Sequence, residues 1–122
     1  MARNRFAHIL QFIRFDDKST LDQRRANDKF AAIRDVWVWF VEDWKRLFEA
    51  FEDITIDEQL VAFRGRYPMR QYMKSKPAKY GIKIWAAADV KASYMYNLQV
   101  YTGKLPGNAP EKNLGHRVVL TT

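Results

Sequence analysis

The sequence contains no cysteine. That excludes a disulfide framework, a thiolate nucleophile, and zinc or iron–sulfur sites built on cysteine ligands. It leaves the compartment open, with an intracellular place the simpler expectation. Histidine is nearly as scarce: only His8 and His116 occur, too few for a multi-histidine metal site. Glycine and proline number five and four, so the chain is neither collagen-like nor a low-complexity linker. No apolar run approaches the roughly 20 residues that a membrane-crossing helix requires. Met-Ala-Arg-Asn-Arg-Phe at the start has no long apolar run behind it, unlike a secretory signal. The Gly-x-Gly-x-x-Gly, Walker, His-Glu-x-x-His and Gly-x-Ser-x-Gly patterns are all missing.

What is present is apolar and aromatic. Of 122 residues, 48% are hydrophobic and 15% aromatic, which argues for a folded domain, or a piece of one, rather than a disordered chain. Acidic residues are unevenly placed. Residues 1–60 hold 10 basic and 12 acidic groups, a net of −2, and residues 61–122 hold 11 basic and 2 acidic groups, a net of +9. No acid lies between Glu58 and Asp89, while Arg64, Arg66, Arg70, Lys74, Lys76, Lys79 and Lys83 all do. Such a run is either a solvated basic face or a phosphate-contacting surface. The interleaved Tyr67, Tyr72 and Tyr80 suit the second reading. Composition does not separate DNA from RNA.

Periodicity predicts two helices. Phe6, Ile9, Leu10 and Ile13 share one helical face, and the pattern stops at Asp16-Asp17-Lys18-Ser19. Residues 16–27 read as a polar connection with little apolar content beyond Leu21. A long helix over 29–51 follows, its stripe formed by Ile33, Val36, Trp37, Phe40, Val41, Trp44, Leu47, Phe48 and Phe51. Asn27 or Asp28 is the expected cap. Trp39 stands off the stripe and suggests a second contact surface. The aromatics read as core.

Beyond Asp53 the period shortens. Residues 54–63 suggest a short strand carrying Asp57 and Glu58, which alternation sends to opposite faces, so they form no catalytic pair by themselves. Pairing with the basic residues beyond Leu60 is the expected role. Arg64-Gly65-Arg66-Tyr67-Pro68 and Ser75-Lys76-Pro77 are breaks. Residues 81–89 and 94–101 alternate as two strands with a short link, an antiparallel hairpin. Residues 102–110 read as an irregular loop, and residues 114–122 are too short to assign.

Asp89 closes the first hairpin strand after three alanines. A carboxylate there sits at a rim that a metal or phosphate could reach. One carboxylate does not hold a catalytic divalent ion, so by pattern alone Asp89 reads first as a hairpin-turn aspartate.

Taken together, several stretches resemble the piggyBac-type DNA transposases and piggyBac transposable-element-derived proteins. They are Arg3-Asn4-Arg5-Phe6, Phe15-Asp16-Asp17, Asn27-Asp28-Lys29-Phe30, Thr55-Ile56-Asp57-Glu58-Gln59-Leu60, Phe63-Arg64-Gly65-Arg66, Lys76-Pro77-Ala78-Lys79-Tyr80-Gly81-Ile82-Lys83, Ala88-Asp89 with Tyr94-Met95-Tyr96-Asn97, and Tyr101-Thr102-Gly103-Lys104. Asn113-Leu114-Gly115 and Arg117-Val118-Val119-Leu120 extend the likeness.

The resemblance implies an α/β chain: an incomplete RNase H-like fold with a helical region over 1–53 and the start of the catalytic sheet over 54–122. It implies cut-and-paste DNA transposition with Mg²⁺ or Mn²⁺ in intact members, through three aspartates drawn from separated parts of the chain. Asp89 stands where the first falls; the other two are not in this sequence. Some members carry a glycine shortly after that aspartate, where this chain has Val90, Lys91 and Ala92. The family's cysteine-rich zinc module, where members have one, is absent, and the counterpart of residues 115–120 begins a helix.

The expectation is therefore a transposase-like fragment, catalytically inactive alone and binding double-stranded DNA weakly and salt-dependently through residues 64–83. It would bind no metal tightly, self-associate through exposed apolar surface, avoid membranes and reside in the nucleus. Two alternatives remain: a non-enzymatic DNA-binding remnant of a domesticated or decayed element, and an inert piece of one.

Overall fold

The computed structural model describes residues 1–103 and Val118. Three helices precede four strands: α1 (Arg3–Phe12), α2 (Lys18–Asn27), α3 (Arg34–Leu47), β1 (Ile54–Ala62), β2 (Arg70–Tyr72), β3 (Tyr80–Asp89) and β4 (Met95–Val100). No helix among the described residues is long and apolar enough to cross a membrane. The expected loop over 102–110 lies outside the described residues apart from Thr102 and Gly103. The unassigned segment 114–122 lies outside them apart from Val118, which is helical and buried.

α1 forms where periodicity placed it, yet it buries none of its residues: Phe6, Leu10 and Phe12 stay 54%, 54% and 80% exposed. The polar connection expected over 16–27 is instead largely helix. Asp17 caps α2 by accepting from the Ser19 amide and hydroxyl at 2.8 and 2.7 Å. Arg24 then ties the helix to its surroundings, donating to Asp16 at 2.9 Å and to the Ala31 carbonyl at 3.1 Å. A helix held by its cap and by one arginine needs no apolar stripe, so hydrophobic periodicity misses it.

The long helix expected over 29–51 is shorter at both ends. Asn27 is the last residue of α2, and Asp28 does not cap α3, whose N-cap is Ile33 with no side-chain bond. Asp28 organises a turn instead, accepting from the Phe30 amide at 2.9 Å and from the Arg34 guanidinium twice at 2.8 Å. That turn drives Phe30 and Ala31 into the interior, each 4% exposed. At the other end Phe48 turns extended, and the chain runs on to β1.

β3 is the central strand. β1 pairs antiparallel along it, from Ile54 opposite Asp89 to Ala62 opposite Gly81. β2 and β4 share its other edge end to end: β2 against residues 80–82 and β4 against residues 84–88. Gly81 lies between Ala62 and Gln71, and a side-chain carbon there would be driven into the Val61 carbonyl. The β3–β4 hairpin carries a register shift at Ala87/Ala88.

Alternation gives the sheet two faces. One carries Ile82, Ile84 and Val100, which meet Phe30, Met69, Trp37 and Tyr67 in the core. α3 covers this face along β4, with Phe48 stacked on Tyr94 at 4.4 Å. Trp39 finds no second surface among the described residues and stays 65% exposed. The other face carries Lys83, Trp85, Ala87 and Asp89, with Glu58 opposite Trp85.

Candidate functional site

Asp89 ends β3 and is 1% exposed. One carboxylate oxygen accepts the Ala92 amide at 2.6 Å; the other accepts the Phe51 amide at 2.6 Å. The β3–β4 turn and the α3–β1 connection thus meet on one side chain. The Val90 amide adds a bond to the Asp53 carbonyl at 3.0 Å, and the Lys91 ammonium lies 4.6 Å from the Phe51 ring centre. The Ala92 amide first, then those of Phe51 and Lys91 with the Lys91 charge, hold the Asp89 carboxyl below the ordinary carboxylate range, against the opposing effect of burial.

Each carboxylate oxygen accepts one amide, the side chain is 1% exposed, and the described residues bring no group of three or more His, Cys, Asp or Glu together that could hold a metal ion. The hairpin-turn reading of Asp89 describes what its carboxylate does here.

The seven basic residues do not form one surface. Lys83 lies on the Trp85 face, where its ammonium reaches Glu58 at 2.7 Å and sits 4.7 Å from the Trp85 ring centre. Lys76 reaches the same residue, donating to the Glu58 carbonyl at 2.9 Å with the carboxylate at 4.0 Å. Glu58 therefore pairs with basic residues beyond Leu60, as the sequence suggested, whereas Asp57 accepts the Glu58 amide at 2.7 Å and makes no salt bridge among the described residues. Lys83 points away from the Ile82 face because β3 alternates, and Lys76 reaches Glu58 from the turn between β2 and β3.

Arg64, Arg66, Arg70, Lys74 and Lys79 are exposed and make no salt bridge among the described residues. Arg64, Arg70 and Lys79 line a cleft of about 520 Å³ with Pro77, Ala78 and Tyr80. Arg70 shares a sheet face with Tyr72 and Tyr80, which are cross-strand partners. Its guanidinium lies 5.3 Å from the Tyr80 ring centre and donates to the carbonyls of Arg64 and Gly65 at 3.3 and 3.4 Å. The turn from β2 to β3 is closed by the Met73 amide on the Lys79 carbonyl at 2.8 Å, with Lys79 at φ 57°.

Tyr67 does not belong to this surface. Its hydroxyl donates to the Lys29 carbonyl at 3.2 Å, its ring packs on the Phe30–Met69 cluster, and burial pushes its hydroxyl pKa up. Spacing alone misses the contrast between Tyr67 and the exposed pair Tyr72 and Tyr80. The proline after Tyr67 marked a break but not its direction.

The family model described as Transposase IS4 matches residues 1–121. PiggyBac transposable element-derived protein 3 of Homo sapiens is 29% identical over 121 residues, covering 98% of this chain and 20% of that protein. PiggyBac transposable element-derived protein 2 of Homo sapiens is 28% identical over 83 residues, 68% of this chain and 14% of the relative. A solved cryo-EM structure, a piggyBac transposase synaptic complex with hairpin DNA, superposes with a TM-score of 0.90 at 38% identity, over 99% of this chain and 25% of that one. The chain thus spans about a fifth of the first human relative, and its α/β arrangement resembles the DDE transposase catalytic fold. The chain belongs to the Transposase IS4 family and is homologous to part of the piggyBac-type transposases.

Proposed function

We propose that this chain is a DNA-contacting part of a transposase-type protein for cut-and-paste DNA transposition, and that alone it does not cut DNA. In this reading residues 1–53 form a helical region, and residues 54–122 open an RNase H-like catalytic domain that is incomplete here. Mg²⁺ or Mn²⁺ belongs to the intact family protein. Asp89 marks the position of the first catalytic aspartate, while its work in this chain is to hold the hairpin turn. The same homology supports DNA as partner and the nucleus as location in this reading.

The observation that carries the DNA reading is the exposed set Arg64, Arg66, Arg70 and Lys79, three of which line one cleft, none of them in a salt bridge among the described residues. Four phosphate contacts release enough counterions to give a slope of about −3.6 in log K against log salt. Duplex binding titrated from low to physiological salt tests this. An affinity indifferent to salt, or unchanged when Arg64, Arg66, Arg70 and Lys79 are all neutralised, rejects the reading. Metal-dependent strand cleavage abolished by Asp89→Asn would reject the inactive assignment. A non-enzymatic DNA-binding role, the second reading, rests on the same cations together with the closed Asp89 carboxylate.

A further inference from the structure

Tyr72 and Tyr80 are 57% and 46% exposed, although each ring carries a large apolar area. They face each other across β2 and β3 with ring centres 4.9 Å apart and planes 45° apart. Neither ring belongs to the core cluster, which ends at Ile82 on this face. Arg70 backs the Tyr80 ring at 5.3 Å, and the cleft of Arg64, Arg70 and Lys79 opens beside it. Arg64, Arg70 and Lys79 make no salt bridge among the described residues.

Cations alone attract a phosphate backbone whatever its form. Exposed rings do something different: a paired base keeps its faces inside the duplex stack, whereas an unpaired base offers a face to an aromatic ring. We infer that Tyr72 and Tyr80, with Arg64, Arg70 and Lys79, form a platform for unpaired DNA, the tyrosines stacking on a base while the cations hold the adjoining phosphates. The inference rests on the DNA reading above and deepens it by naming the form of DNA this surface selects. Arg70 serves both parts, since its guanidinium stiffens the Tyr80 ring and adds charge at the cleft.

The test measures binding of the 122-residue chain to three probes at one salt concentration. They are a 12-nucleotide thymidine strand, an abasic strand with the same number of phosphates, and a duplex of equal length. The base-bearing strand should bind about tenfold more tightly than the abasic one, the size expected for stacking of a base on an aromatic ring. Tyr72→Leu with Tyr80→Leu should erase that preference and leave the salt slope unchanged. Tyr72→Phe with Tyr80→Phe should keep it, which separates loss of a ring from loss of the fold. A single 2-aminopurine in the strand should be quenched by the parent chain and not by the leucine variant. Equal affinity for base-bearing and abasic strands, or a preference that survives the leucine variant, overturns the platform while salt-dependent duplex binding leaves the DNA reading standing. Binding to none of the three probes at low salt overturns both.

Discussion

The Asp89 carboxylate accepts the amides of Phe51 and Ala92 at 2.6 Å each, so one side chain spans 38 positions of sequence to join the α3–β1 connection to the hairpin turn. Carboxylate-to-amide bonds of this kind are stronger than neutral ones. Asparagine can accept one of the two amides, but its own N–H₂ then faces the other donor. Asp89→Asn should therefore speed hydrogen exchange at Phe51 or Ala92 by a factor on the order of ten, the size expected for one lost bond, and should do so in the presence of a chelator. Unchanged exchange at both amides would show that the clasp contributes nothing. The sequence marked Asp89 as the end of a strand and a turn residue. It did not reveal Phe51 as a partner, because nothing local links a residue after a helix to one 38 positions on.

At the scale of elements, the joint between α2 and α3 depends on Asp28. The Arg34 guanidinium first, and then the Phe30 amide, hold its carboxyl below the ordinary value of 3.8, with desolvation opposing them. A depressed folded-state pKa contributes stability that is complete above the unfolded value and is lost as pH falls through the folded one. The loss attributable to this pair thus lies below about pH 4. Asp28→Asn should weaken the dependence of stability on pH in that range, read by circular dichroism between pH 6 and 2. Asp17 and Asp89 are lowered as well, so the acid limb shrinks rather than disappears. An acid limb identical to the parent's would remove Asp28 from the account. α2 itself was illegible because Lys-Ser-Thr-Leu-Asp-Gln-Arg-Arg-Ala-Asn has no apolar period. Its signals are the Asp17 cap and the reach of Arg24, and only the second needs tertiary partners.

At the scale of the whole molecule, much apolar surface stays open. α1 buries nothing, and Trp39 and Leu47 of α3 are 65% and 79% exposed. Exposed apolar area of this kind favours association, and the basic excess that opposes it lies mainly beyond residue 60. The chain should sediment with a weight that rises with concentration, and Trp39→Gln with Leu47→Gln should reduce that rise. A concentration-independent monomer with a sharp two-state melt would refute the prediction.

The sequence by itself determined the α-then-β order, the existence of α1, the faces of β3, the hairpin of β3 and β4, and the family, because these depend on local period and on ordered motifs. Only tertiary structure decided which cations remain available. Lys76 and Lys83 differ from Arg64 and Lys79 in nothing that composition records. Strand parity places Lys83 on the Glu58 face and Lys76 reaches Glu58 from the β2–β3 turn, while the same turn leaves Lys79 beside Arg64 and Arg70. The same holds for the three tyrosines. Long-range pairing sends Tyr67 into the core and leaves Tyr72 and Tyr80 in solvent, and no spacing in the chain distinguishes them.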